Sequence, residues 1–212
     1  MKVVDIGIRR KHLAALTVVP APEIFEDAEY EENKILIDRE ILDRCKIEKG
    51  TEISAEDLKE LIFVSSCYRA KQRAVWYLSK GDISEKALFD KLKRNFSEKA
   101  SAFAVEQMIK RGYLNDRKYA ENLVRILSEK NISKNAAVGK MLQKGLPFEL
   151  IKDVLKNYKS GDENRAYNLL ITKYKNKLNN DEGIKKSVAA LVRRGFSYSE
   201  VLTALKKINP EE

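Results

Sequence analysis

The sequence predicts a mainly α-helical protein: three tandem three-helix modules that form an elongated, curved molecule, preceded by a small antiparallel β-hairpin or meander. Apolar residues recur at helical spacing in nine segments after residue 66, whereas period-two alternation occurs near the N-terminus. The nine segments also repeat in steps of 50 residues, as Phe96, Leu146 and Phe196 do. Stacked modules that each bury a face against a neighbour make elongated, curved molecules.

The N-terminal part has the pattern of short strands. Residues 4–8 and 14–18 carry apolar side chains at every second position, and the polar RRKH between them predicts a hairpin with one buried face. PAPEIFEDAEYEENK has two prolines and six carboxylates, which indicates an exposed loop that leads to a third strand at 34–37. Ser54 and Asp57 then have the spacing of a capping box, so a helix should run from residue 55 towards 63.

Four regions follow from these patterns. Residues 1–66 form the β extension with its acidic loop and connecting helix, and residues 67–114, 115–160 and 161–212 form modules 1, 2 and 3. Between modules 1 and 2 the sequence reads RGYLND. Gly112 should close one helix in the left-handed conformation, and Asn115 or Asp116 should cap the next.

Composition excludes several classes of protein. The chain is 34% charged, and no apolar run approaches the ~20 residues of a membrane span. Two cysteines and one histidine make a disulfide framework or a zinc site improbable, so we expect a cytoplasmic protein without metal or cofactor.

No catalytic residue is predicted. His12 has no predicted partner, and the sequence has no glycine-rich phosphate loop, which favours a binding protein over an enzyme. Cys67 should be a small core residue at a helix start. Trp76, Tyr77, Tyr113 and Tyr119 are interpreted as packing residues before base-stacking residues.

Positive charge is concentrated in the modules. Residues 1–66 carry 10 Lys/Arg and 15 Asp/Glu, a net charge of −5, whereas residues 67–212 carry 31 and 17, a net charge of +14. Basic residues recur before the end of the second helix of each module, where they also favour the helix dipole. The predicted basic stripe for a partner or nucleic acid comprises Lys91, Lys93, Arg94, Lys110, Arg111, Lys140, Lys144, Lys185, Lys186, Arg193 and Arg194.

Three motifs carry a family resemblance: RAVWYLSKGDISEKALFDKLKRNF, IKRGYLNDRKYAENLVRI and ISKNAAVGKMLQKGL. With them, the chain resembles the bacterial RecX regulatory proteins, modulators of the RecA recombinase, from about residue 64 to 208. The family's middle junction reads Gly-Tyr-Leu-Asp-Asp followed by an aromatic-Ala pair. The matching residues here, with the later turn glycines, are Gly112, Tyr113, Leu114, Asn115, Asp116, Tyr119, Ala120, Gly145 and Gly195.

The resemblance implies a non-enzymatic fold of three modules and a partner. It implies binding within the helical groove of RecA filaments on single-stranded DNA, which restrains strand exchange, coprotease activity and ATP turnover. Asn95 departs from the family because it stands where glycine is usual. Asparagine also tolerates a left-handed cap, so the turn should survive.

Two other readings remain open. The modules could be helix-turn-helix-like units of a stand-alone DNA- or RNA-binding protein, or a helical scaffold whose charge only provides solubility. The sequence does not show whether the positive charges contact acidic protein patches or phosphates. We expect a monomer.

Overall fold

The computed structural model describes residues 1–10, 12–22, 25, 27–31, 34–158 and 161–208. The chain divides into two compact units, Met1–Leu114 and Asn115–Glu212. The predicted fold class is confirmed, because helices dominate and an antiparallel sheet lies at the N-terminus. None of the helices in the described ranges is long and apolar enough to cross a membrane.

The first unit contains four strands and four helices within the described residues. The strands pair antiparallel in the order β1-β2-β4-β3. The elements are β1 (Lys2–Arg10), β2 (Leu13–Val19), β3 (Glu29–Glu31), β4 (Lys34–Asp38), α1 (Arg39–Arg44), α2 (Ala55–Leu78), α3 (Glu85–Leu92) and α4 (Glu98–Lys110).

The sheet differs from the predicted hairpin with one buried face. Central strand β2 is buried on both faces: Ala14 and Leu16 join the main core, while Leu13 and Ala15 form a second cluster with Leu36 of β4. A strand paired on both edges can bury side chains on both faces, which alternation alone did not indicate.

Strand β1 is irregular. Its register shifts between Val3 and Asp5 and again after Ile8, so Val3 is buried and Ile8 is exposed, against the predicted alternation. The predicted loop also contains β3; residues 23–24, 26 and 32–33 of that loop, and residue 11 of the turn, lie outside the described residues.

Helix α2 links two cores. Its N-cap Ser54 accepts a hydrogen bond from the Asp57 N–H at 3.0 Å, as predicted. The helix continues unbroken to Leu78, so Cys67 lies within it and not at a helix start. Cys67 is buried as predicted, and burial raises the pKa of its thiol to about 11. The boundary predicted between residues 66 and 67 therefore falls inside α2, and the module boundaries stay predictions.

The second unit consists of helices within the described residues. Short 3-10 turns follow α7 at Leu155–Asn157 and α8 at Lys175–Lys177. The helices are α5 (Asp116–Glu129), α6 (Lys134–Gln143), α7 (Phe148–Val154), α8 (Asp162–Thr172), α9 (Asp181–Val192) and α10 (Tyr198–Lys206).

The buried side chains form a series of local cores. One joins the sheet to the start of α2, and another joins the rest of α2 to α3 and α4. In the second unit, one core lies among α5, α6 and α7, and another among α8, α9 and α10. Each core is small, because short helices bury few residues.

Glycine turns close three of the helices. Gly112, Gly145 and Gly195 have φ of +72°, +83° and +88°. The Gly112 N–H donates to the Ile109 carbonyl at 2.8 Å and the Tyr113 N–H donates to the Met108 carbonyl at 3.0 Å, the paired bonds of a Schellman motif. The predicted left-handed closure at Gly112 is confirmed.

Asparagines occupy two other turn positions. The Asn115 side chain caps α5 by accepting a hydrogen bond from the Lys118 N–H at 2.9 Å, as predicted. A left-handed cap at Asn95 is not observed: the described non-glycine residues with positive φ are Lys46 and Asn131. The Leu92 carbonyl instead accepts from the N–H groups of both Asn95 and Phe96, so this turn closes without a positive φ.

A buried ionic cluster stabilises the second unit. The Arg165 guanidinium, 2% exposed, lies 3.3 Å from Asp162 Oδ1 and 3.9 Å from the centre of the Tyr158 ring. Both Asp162 oxygens accept a hydrogen bond from the Lys134 N–H at 3.0 Å, at the start of α6, and the Tyr158 hydroxyl donates to the Ile132 carbonyl at 2.7 Å. Burial raises the pKa of Asp162 although these partners lower it. The cluster therefore ties α8 to the start of α6.

A second contact joins the same region to the turn after α9. The Ser133 hydroxyl donates to the Arg194 carbonyl at 2.9 Å. A Cβ placed on Gly195 would lie 2.7 Å from Ser133 Oγ, so this turn requires glycine for space as well as for its φ.

Replacing Gly112 with valine should destabilise the protein through backbone conformation alone. A Cβ at Gly112 meets nothing within 4 Å, but its φ of +72° is strained for a β-branched residue. We expect a loss of about 1 kcal/mol or more in unfolding free energy, measured by urea denaturation. Gly139→Val in α6 is the control, because that site is equally open and its φ is not positive. Equal losses in the two variants would contradict the left-handed assignment.

Asp162→Ala should be strongly destabilising, because it leaves the Arg165 charge buried without its carboxylate and removes a partner from the Lys134 N–H. We expect a loss of about 3 kcal/mol in urea denaturation. Asp153→Ala is the matched control: Asp153 pairs with Arg117 and Lys156 at 3.0 Å each, but in contact with solvent. Since water screens those pairs, that variant should resemble the wild type. A similar loss in both variants would show that burial of the cluster is unimportant.

Candidate interaction surface

Several predicted basic residues lie at helix C-termini. Lys93, Lys144 and Arg193 are the C-cap residues of α3, α6 and α9, and Arg111 is the C-cap residue of α4. Cations at these positions face unpaired carbonyl groups, which stabilises a helix by ~0.3–1 kcal/mol. Helix capping thus explains part of the basic pattern.

Two cations of the first unit form surface ion pairs. Lys93 Nζ lies 3.0 Å from Glu98 Oε2, and Lys110 Nζ lies 2.6 Å from Glu106 Oε1. Exposed pairs of this kind exchange readily with solvent and contribute at most ~1 kcal/mol, so a stronger anionic partner can displace them.

The other predicted cations of the first unit lie in different environments. Lys91 Nζ lies 4.9 Å from the centre of the Tyr77 ring. Arg94 and Arg111 are exposed at the ends of α3 and α4. This unit therefore presents cations at the ends of two neighbouring helices.

In the second unit the predicted cations divide into two groups. Lys186 pairs with Glu182 at 2.6 Å, and the half-buried Arg194 lies 5.8 Å from the centre of the Tyr174 ring. The remaining members of the predicted set are exposed: Lys140, Lys144, Lys185 and Arg193. Whether the two units form one continuous basic stripe stays a prediction.

Exposed apolar side chains lie near these cations in the sequence, and helical periodicity did not predict their exposure. Phe148 and Tyr198, the first residues of α7 and α10, are 56% and 61% exposed. Leu142 and Val192 are also exposed, at the ends of α6 and α9. The members of each pair are 50 residues apart, so the repeat that relates the basic residues also relates this apolar pattern.

Two of the aromatic residues interpreted as packing residues are exposed. Trp76 and Tyr113 are 48% and 63% exposed, so the packing interpretation is wrong for them. Trp76 lies two residues beyond buried Ala74, which places it on the opposite side of α2. Tyr77 and Tyr119 pack against the cores of their units, as predicted.

The remaining junction residues have structural positions. Leu114 is buried in the core of α2, α3 and α4, and Ala120 is buried in the core of α5, α6 and α7. Asp116 is the first residue of α5, where a carboxylate favours the helix dipole. Apart from exposed Tyr113, the residues of this motif therefore lie at a helix end or pack in a core.

No metal-binding cluster of three or more His, Cys, Asp or Glu occurs within the described ranges. His12 is exposed in the turn before β2, and its carbonyl accepts a hydrogen bond from the Arg39 N–H at 3.0 Å. Burial raises the pKa of Asp38, but that side chain caps α1 by accepting from the Glu40 N–H at 3.0 Å. The His12 carbonyl and the Asp38 carboxylate therefore accept hydrogen bonds from backbone groups at the start of α1.

Comparison with known proteins finds relatives that are named regulatory protein RecX. The chain is 30% identical to the regulatory protein RecX of Caldanaerobacter subterraneus subsp. tengcongensis, over 86% of this chain and 91% of that protein. It is 27% identical to the regulatory protein RecX of Streptococcus sanguinis, over 84% and 70%. No family model matches the chain.

Solved structures share the fold. A crystal structure of regulatory protein RecX matches with a TM-score of 0.62 and 20% identity, over 94% of this chain and 96% of that one. A crystal structure of RecX from Lactobacillus salivarius matches with a TM-score of 0.61 over 69% of this chain and 98% of that one.

Proposed function

The chain belongs to the RecX family of regulatory proteins, and we propose that it regulates the RecA recombinase. In this proposal it binds RecA filaments on single-stranded DNA in their helical groove and inhibits strand exchange, ATP hydrolysis and coprotease activity. Its relation to the Caldanaerobacter regulatory protein carries the proposal, since it spans nearly the whole length of both chains. The RecA partner comes from the family resemblance of the sequence motifs.

The surface of the second unit supports a protein partner with repeated subunits. An exposed aliphatic residue, a cation and an exposed aromatic residue occur in the same order at Leu142, Lys144 and Phe148 and again, 50 residues later, at Val192, Arg194 and Tyr198. The two surfaces are related but not identical, because Lys144 is exposed whereas Arg194 is half-buried over Tyr174. Related surfaces can contact two identical subunits. Positive charge suits acidic protein patches, and the apolar residues provide anchors that screened charges alone do not.

The same proposal assigns no reaction to the protein. It acts as a monomeric, non-enzymatic regulator in the cytoplasm, without metal or cofactor, and contacts single-stranded DNA as part of the filament. A stand-alone nucleic-acid-binding protein is the second candidate, which the net charge of +14 in residues 67–212 favours.

The first test is the single-stranded-DNA-dependent ATPase of the cognate RecA, titrated with this protein while DNA is held in excess. We expect inhibition at substoichiometric ratios to RecA, because a bound regulator affects neighbouring protomers of a filament. Excess DNA removes competition for DNA as an explanation. An unchanged ATPase rate with tight binding to free DNA would instead support the second candidate.

Reversing two C-cap charges should weaken inhibition. Lys144→Glu and Arg193→Glu alter exposed residues of α6 and α9 in the second unit. Arg193 is preferred to Arg194, whose guanidinium lies over Tyr174 and whose carbonyl accepts from Ser133. We expect the double variant to need an about tenfold higher concentration for half-inhibition of the ATPase.

The matched control reverses two C-cap charges outside the predicted set. Lys130→Glu and Lys173→Glu alter exposed C-cap residues of α5 and α8, with the same change in net charge and the same position relative to a helix dipole. The control should inhibit like the wild type, and circular dichroism should show equal helix content in both double variants. Equal weakening by both would mean that net charge, not this surface, determines inhibition.

A further inference from the structure

Cations and aromatic rings alternate along the exposed side of α2 and onto α3. The guanidinium carbon of Arg73 and Lys80 Nζ each lie 5.5 Å from the centre of the Trp76 ring. The Trp76 and Tyr77 rings meet edge to face with centres 5.1 Å apart, and Lys91 Nζ lies 4.9 Å from the centre of the Tyr77 ring. Residues 73, 76 and 77 have the spacing of one helix face, and Lys80, two residues beyond the end of α2, lies over the same indole ring, so these groups form one patch.

The cations of this patch contact rings, whereas Arg69, one turn earlier, pairs with Glu29. In the part of the chain that the structure describes, the ion pairs do not include Arg73, Lys80 or Lys91. An exposed cation–π contact is weak, so each cation can leave its ring for a phosphate.

We propose that Trp76, with Arg73 and Lys80, forms a base-stacking platform for single-stranded nucleic acid. A base can stack on the half-exposed indole by displacing one flexible cation, which then contacts a phosphate of the same strand. Stacking on aromatic residues beside a positive track is how proteins bind single strands without sequence preference. This inference rests on the proposed function only because that function places the protein beside single-stranded DNA. It assigns a direct contact with that DNA to the first unit.

The surroundings of Trp76 limit where the strand can lie. Arg73 and Trp76 line a groove of about 730 Å³ whose lining also includes Tyr68 and Glu40. The Tyr68 hydroxyl donates to Glu40. Asp38 and Asp43 also line this groove, whereas Lys80 does not. The three carboxylates disfavour phosphates deeper in the groove, so the proposal places the strand over Trp76 on the side of Lys80.

Nucleic acid fits this patch better than an acidic protein segment. Both would meet the positive charge, but a nucleic acid supplies a flat π-face for the indole at every base, which an acidic protein segment does not.

Trp76 is the sole tryptophan of the chain, so its fluorescence reports on the patch directly. The full-length protein is titrated with oligodeoxythymidylate and with an abasic oligonucleotide of the same length, at one salt concentration and without RecA. We expect strong quenching by the thymidine strand and at least about tenfold weaker binding of the abasic strand. Equal binding of the two strands would overturn base stacking and leave phosphate contacts alone.

Variants test the assignment with labelled oligodeoxythymidylate. Trp76→Ala should weaken binding about tenfold, and Trp76→Phe should recover most of it. In the variant Arg73→Gln with Lys80→Gln, log affinity should fall less steeply with log salt concentration, by the equivalent of about one phosphate contact. Phe103→Ala is the control, because Phe103 is an exposed aromatic residue of α4 with no cation over its ring among the described residues.

Wild-type binding by Trp76→Ala would overturn the proposal, as would quenching by polyglutamate as strong as that by the thymidine strand. The result is separable from the proposed function. A wild-type protein that shows the stacking signature but leaves the RecA ATPase unchanged would refute only the regulatory proposal. An inhibitor of RecA whose DNA binding is insensitive to Trp76→Ala would refute only the platform.

Discussion

The fold depends on hydrogen-bond partners for the unpaired backbone groups at the ends of short helices. Except for α2, the helices of the described residues have between 6 and 14 residues, so unpaired terminal N–H and carbonyl groups form a large part of each. Side chains cap most of the N-termini: Asp38, Ser54, Ser84, Ser97, Asn115, Ser133, Asn180 and Ser197. Left-handed residues close many of the C-termini. Since small local cores supply limited burial, these caps determine where each helix begins and ends.

Several caps also hold the second unit together. Ser133 caps α6 and donates to the Arg194 carbonyl, while Asp162 binds the Lys134 N–H and pairs with Arg165. The start of α6 is therefore fixed by contacts from two other segments. One of these contacts uses the backbone of Arg194, a residue of the predicted basic set, so that residue has a structural role even without a ligand.

Local sequence patterns predicted helices and single turns well, whereas features that depend on long-range packing were missed. The glycine at residue 112 predicted the turn after α4, because turn conformation depends on neighbouring residues. The burial of Arg165 was not predictable, since its charge is compensated by residues that only the fold brings together. The exposure of Trp76 was missed for a related reason. The packing of the adjacent cores decides which face of α2 is buried, and the sequence does not show that packing. A large aromatic residue by itself indicates only apolar character.

Burial distinguishes two cation–aromatic pairs that look alike in the sequence. Arg165 lies over Tyr158 beside Asp162 and is nearly inaccessible to solvent. Its charge is already neutralised by Asp162, and removing the Arg165 side chain would leave that carboxylate buried without its partner. Arg73 lies over the half-exposed Trp76. Its pairing is weak enough to exchange for a phosphate, and no core has to open when it does. The first pair therefore stabilises the fold, whereas the second can bind a ligand at little cost to stability.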